Sequence, residues 1–154
     1  STGCDDYDLA HLRATQVSLG LRHDDTRWLL IAELTHIKPS SLTASKELAG
    51  FVSVGHYVGN WLPYLTYSWL RSFGPRTETR NGALNPVFTT LLQNKAQQHT
   101  WSLGARWEAR PGIALKGQID KVHPDQGSPG TFTAPLPTST SSVNVFSLAL
   151  DWTY

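Results

Sequence analysis

Strict two-residue alternation dominates this chain, and only an extended strand with unlike environments on its two faces can use it. It is clearest from Gln98 to Glu108. There His99, Trp101, Leu103, Ala105 and Trp107 share one face, and Gln98, Thr100, Ser102, Gly104, Arg106 and Glu108 share the other. A helix would mix the two sets around its circumference. The last residues repeat the pattern, with Phe146, Leu148, Leu150, Trp152 and Tyr154 opposing Ser147, Ala149, Asp151 and Thr153.

Other segments alternate in the same way. Trp61, Pro63, Leu65, Tyr67 and Trp69 oppose Leu62, Tyr64, Thr66 and Ser68, while Val17, Leu19 and Leu21 oppose Gln16, Ser18, Gly20 and Arg22. Trp28, Leu30, Ala32 and Leu34 oppose Leu29, Ile31, Glu33 and Thr35, and Ile113, Leu115 and Ile119 oppose Ala114, Lys116, Gln118 and Asp120. From Phe51 to Val58 either parity can be the apolar one. The alternation predicts about seven strands in an all-β, antiparallel, up-and-down sheet. The expected links alternate in length: short at His23–Arg27, Gly59–Asn60 and Ala109–Gly112, long at Lys38–Gly50, Arg71–Gln97 and His123–Ser142. All short links then lie at one end of the sheet and all long ones at the other. The last long link, rich in Pro, Gly, Ser and Thr, reads as irregular; a short helix is expected within Ala83–Ala96.

Composition narrows the class. Charged residues are 16% of the 154, well below the roughly 25% of an ordinary soluble domain. The formal net charge is +1, without basic clusters in the sequence, so no nucleic-acid partner is expected. Six Trp, five Tyr and five Phe exclude a disordered chain. The longest apolar run, Trp28–Ala32, is far short of the roughly 20 residues of a spanning helix. No basic stretch followed by an apolar run opens the sequence, so the expectation is that a targeting segment was removed or that the chain is part of a longer one.

The Trp positions are not scattered. All six lie on the apolar parity: Trp28 and Trp61 open strands after short links, Trp107 and Trp152 close strands at that same end, and Tyr154 joins that ring. Trp69 and Trp101 flank the longest link at the opposite end. In a soluble β-sandwich, large aromatics occur anywhere along the inward face. In a membrane barrel they gather at the two lipid–water interfaces, where one side of the ring is wet and the other apolar. The two rings favour the barrel, and His36 and His99, of the same parity, read as interfacial too. A soluble sandwich that binds carbohydrate through exposed Trp is the alternative. The opposite parity would turn Arg106 and Glu108 to lipid, where an Arg costs roughly 2–4 kcal/mol at the midplane.

The closing segment Val145-Phe146-Ser147-Leu148-Ala149-Leu150-Asp151-Trp152-Thr153-Tyr154 resembles the terminal signal of Gram-negative outer-membrane porins, with Tyr154 where that family most often ends in Phe. Val17-Ser18-Leu19-Gly20-Leu21-Arg22 through Trp28-Leu29-Leu30-Ile31-Ala32-Glu33, and Ser102-Leu103-Gly104-Ala105-Arg106-Trp107-Glu108 before Ala114-Leu115-Lys116, are similar to porin hairpins. The resemblance implies a transmembrane β-barrel in the bacterial outer membrane, with short links periplasmic and long loops extracellular. It implies that residues 1–154 are a single porin-like segment, the C-terminal part of a barrel of about sixteen strands. The function implied is passive diffusion of small hydrophilic solutes or ions through a water-filled lumen. The lumen would be lined by Arg22, Glu33, Tyr64, Arg106, Glu108, Lys116, Gln118, Asp120 and Asp151.

The same resemblance makes Phe146, Leu148, Leu150, Trp152 and Tyr154 the signal read by the barrel-assembly machinery. Partners are then the lipid bilayer, that machinery and the solutes, with a homotrimer left open. The segment Arg71–Gln97, with Arg71, Arg76 and Arg80, is a candidate constriction loop; its plainer reading is a solvated outer loop.

No catalytic, metal or cofactor residue is expected. The six His show no metal-ligand spacing and a lone Cys4 cannot build a thiolate cage. Neither a phosphate-binding Gly-rich loop nor a G-x-S-x-G elbow occurs. Asp5, Asp6, Asp8 and His11, with His123 and Asp125, read as solvated loop residues rather than acid–base pairs. Thr2-Gly3-Cys4 is similar to the end of a lipoprotein signal but follows no apolar run.

Overall fold

The structure, a computed structural model, describes residues 13–40, 45–73, 96–125, 128, 130–132 and 141–153. The expected helix within Ala83–Ala96, the loop arginines Arg76 and Arg80, the acidic N-terminal segment with Cys4, and the final Tyr154 lie outside these residues, as do most of the long links.

Alternation is realised as seven strands: β1 Ala14–Asp24, β2 Trp28–Pro39, β3 Lys46–His56, β4 Trp61–Phe73, β5 Gln97–Arg110, β6 Ile113–Pro124 and β7 Val143–Trp152. They form one antiparallel sheet in chain order. Among the described residues β1 and β7 pair on one side only, so the sheet is not closed. The expected long link Lys38–Gly50 is corrected: β3 begins at Lys46, and the β2–β3 connection is short. The segment 46–50 hid because Ala49 and Gly50 have little strand propensity; Gly50 is there to admit the ring of its partner Trp69. The ambiguous strand is resolved by register, which puts Val52 opposite Tyr67 and Phe51 opposite Ser68.

The turns follow their chemistry. Pro111-Gly112, with Gly112 at φ 81°, has the sequence and sign of a type II turn. Gly59, at φ 58°, opens a two-residue hairpin closed by reciprocal bonds of 2.8 and 3.0 Å between Val58 and Trp61, as in a Gly-X II′ turn. At the first link Asp25 Oδ1 accepts the backbone N–H groups of Arg27 at 2.7 Å and Trp28 at 2.6 Å.

The strands are sheared in one direction. The ladder from Asp24 at the foot of β1 passes through Leu29, Gly55, Tyr64, Gly104 and Gln118 to Ser147, five residues above the foot of β7 at Trp152. With ~3.3 Å per residue and ~4.8 Å between strands, this stagger tilts the strands by roughly 30°. Tilt and stagger of this kind accompany a curling sheet.

Which face curls inward is decided by exposure. The enclosed side chains Leu62 (8% exposed), Ser72, Ser102, Ala114 and Val122 all have polar parity. Apolar-parity residues stand outside, with Leu19 74%, Phe146 74% and Leu148 77% exposed. The polar-parity face is therefore concave and the apolar face convex. A soluble sheet would bury its apolar face against a second layer, and the described residues contain none.

Candidate functional site

All nine residues expected to line a lumen share the concave face. The register places Arg22 opposite Ile31, Glu33 opposite Phe51, Tyr64 opposite Gly104, Arg106 opposite Lys116, Glu108 opposite Ala114 and Gln118 opposite Ser147. Asp120 faces Ser102 and Asp151 faces Ala114. The alternation of each strand fixes these positions.

The structure joins seven of them into two groups, while Arg22 and Glu33 each pair with a residue outside the nine. Tyr64 donates to Gln118 Oε1 at 2.7 Å, and Gln118 Nε2 donates to Asp120 at 2.7 Å. Lys116 Nζ stands 5.3 Å over the Tyr64 ring, within cation–π range. Arg106 pairs with Asp151 at 2.9 Å across β6 and with Glu108 at 3.3 Å. Arg22 pairs with Asp24 at 2.5 Å. Glu33 accepts from the Thr35 hydroxyl at 3.0 Å, which shares a 2.8 Å bond with Ser18. These ion pairs are largely open to solvent, so each contributes little to stability. Their effect is to fix where charge stands along the face.

Two features of the face are additional to that set. Asp24 accepts from Arg22 and, at 3.1 Å, from Tyr57. Burial, and then the hydrogen bond to Asp24, push the Tyr57 hydroxyl above its ordinary value. Asp24 falls in the expected link His23–Arg27 and Tyr57 in the segment whose parity the sequence leaves open; the structure extends β1 to Asp24 with the parity of Arg22 and puts Tyr57 just past the end of β3. The second feature is an apolar floor. Leu29, Ile31, Phe51 and Leu62 line a trough of about 320 Å³ with Tyr64, Lys116 and Gln118, spanning β2 to β6. Nearer the short links a second cavity, of about 580 Å³, is lined by Arg22, Tyr57, Leu62, Arg106 and Glu108.

Charge is segregated between the faces. Within the strands the concave face carries Arg22, Arg106 and Lys116 against Asp24, Glu33, Glu47, Glu108, Asp120 and Asp151. The convex strand positions carry no acid at all.

The convex aromatics form two clusters. At the short-link end Trp61 stacks on its partner Trp107, with centroids 5.7 Å apart and planes 16° from parallel, and Trp28 lies 4.5 Å from His56. Trp152 ends β7 at the same end. At the long-link end Tyr67 contacts Trp69, Trp101 and His99, which stacks on His123 at 4.9 Å. Tyr67 and His123 join this cluster, extending the expected pair Trp69 and Trp101. Leu148 and Leu150 with Phe146 run along the exposed side of β7. Comparison of the chain with family models, curated proteins and solved structures finds no significant match.

Proposed function

We propose that this sheet is part of the wall of an outer-membrane diffusion channel of the porin kind, with its convex face in lipid and its concave face along a water-filled lumen. The observation that carries the reading is the inverted exposure: leucines, valines and Phe146 point outward while hydroxyls, amides and ion pairs line the enclosed side. In water the exposed apolar face is unfavourable at about 25 cal/mol per Å²; in hydrocarbon it is not. The clustering of Trp and Tyr near the two ends of the convex face supports the same placement. Among the described residues β1 and β7 each pair on one side only, and since lipid does not tolerate an unpaired strand edge, the wall continues into further strands of a larger barrel.

The channel passes small hydrophilic solutes and ions. The chain acts as a conduit and not as a catalyst. Phe146, Leu148, Leu150, Trp152 and Tyr154 address it to the assembly machinery.

Reconstitution tests the reading in two steps. The chain should require detergent or lipid to remain dispersed, and Trp fluorescence should be quenched most by lipids brominated near the headgroups. In a planar bilayer the barrel-length protein should give discrete conductance steps. A chain monodisperse without detergent would overturn the membrane placement in favour of a soluble sheet protein; insertion without conductance would overturn the channel.

A further inference from the structure

The convex face ends, at its long-link side, in a basic row. Lys38 lies ten residues above Trp28 at the foot of β2, Lys46 ten above His56 on β3, Arg71 ten above Trp61 on β4, and Lys121 eight above Ile113 on β6. At ~3.3 Å per residue this is roughly 26–33 Å along the strand, and the strand tilt of roughly 30° leaves about 23–29 Å, close to the ~25 Å apolar band of an outer-membrane barrel. All four side chains are exposed. Arg13, bonded through its backbone to Ser40, continues the row one step before β1.

The spacing within the row is unfavourable by itself. Lys38 and Lys46 come one step beyond Ile37 and Glu47, the last pair of the β2–β3 register, and like charges that face each other across strands repel. Arg71, paired with Leu48, is the diagonal neighbour of Lys46. No ion pair to Lys38, Lys46 or Arg71 occurs among the described residues. Asp125, an acid of this parity just past β6, is held 3.4 Å from His99 Nδ1. At the short-link end, by contrast, the convex strand positions offer Arg110 alone, opposite Ile113.

We infer that Lys38, Lys46 and Arg71, supported by Lys121, form a docking surface for the phosphate groups of anionic lipids in the leaflet on the long-link side. Three cations crowded above an aromatic ring at the edge of an apolar band complement a negatively charged headgroup whose acyl chains run down that band. The phosphate relieves the repulsion that no carboxylate of the strands relieves. This inference rests on the membrane placement proposed above.

Vesicles of two compositions separate the two. The chain is diluted from urea into phosphatidylcholine vesicles and into vesicles in which part of that lipid is replaced by phosphatidylglycerol, and bound chain is measured by flotation. A basic residue near an anionic surface contributes about fivefold in binding. Anionic vesicles should therefore bind the wild-type chain on the order of a hundredfold more tightly than Lys38→Gln/Lys46→Gln/Arg71→Gln, with the gain fading in about 0.5 M salt. The charge-reduced Arg27→Gln/Arg110→Gln chain, altered at the other end, should keep most of it. The sheet content of each variant is checked by circular dichroism, and the salt dependence of the wild-type chain is a readout that needs no variant. Equal binding to both compositions, or equal losses in the two variants, overturns the inference and leaves the membrane placement standing. No binding to either composition overturns both.

Discussion

The phenol ring of Tyr64 lies across Gly104, its register partner on β5, so closely that a Cβ at position 104 would collide with the hydroxyl and Cζ of the ring. The same Cβ would come within 2.9 Å of the Gly117 carbonyl oxygen. Glycine at 104 is what lets Tyr64 reach Gln118 on β6 at 2.7 Å and so tie three strands together across the concave face. Gly104→Ala is expected to destabilise the sheet by about 1–3 kcal/mol, the usual cost of overpacking, read from urea unfolding of the lipid-bound chain. In a Tyr64→Ser background the penalty should largely vanish. An undiminished penalty there would assign it to Gly117 instead.

The Trp61 and Trp107 rings, stacked at 5.7 Å, invite a double-mutant cycle. Aromatic pairs of this kind contribute about 0.5–1.5 kcal/mol beyond the area they bury. Trp61→Leu and Trp107→Leu are expected to show a coupling of that size. Additive losses would mean that each ring answers to its surroundings and not to the other.

In the proposed channel Arg106 and Asp151, 2.9 Å apart, are opposite levers on ion preference. Arg106→Gln removes one of the three concave bases and leaves Asp151 and Glu108 unneutralised, so the cation-to-anion permeability ratio should rise severalfold. Asp151→Asn should lower it. The reversal potential across a potassium chloride gradient measures both, and shifts of the same sign would show that the pair does not face the permeation path.

Much of this was legible in the sequence because period two leaves few alternatives. Once Trp101, Leu103 and Trp107 share a face, Arg106 and Glu108 must share the other, and seven strands in chain order follow from the rhythm of turns. Less legible was anything set by contact between strands. Gly50 weakened the local strand signal at the start of β3, since its role is to make room for Trp69 on β4. The parity of Phe51 depended on the register with β4. Tyr57 lies in a link. The basic row on the convex face was hidden for a related reason: Lys38, Lys46, Arg71 and Lys121 are scattered along the chain and are brought together only by register.

Asp25 makes the first link sensitive to acid. Hydrogen bonds from the Trp28 and then the Arg27 backbone N–H favour the ionised carboxyl and hold it below its ordinary value. A carboxylate with a depressed folded-state pKa stabilises the fold above its unfolded value, about 3.9, and that stabilisation is lost as pH falls through the folded value. Amide protection at Arg27 and Trp28, corrected for intrinsic exchange, should therefore hold down to about pH 4 and decline below it. Asp25→Asn keeps an acceptor oxygen without the charge, so its protection should be lower and flat across the same range. Protection in the wild-type chain that persists unchanged to about pH 2, well below the unfolded carboxyl, would show that the link is held by the strands it joins and owes nothing to the ionised side chain.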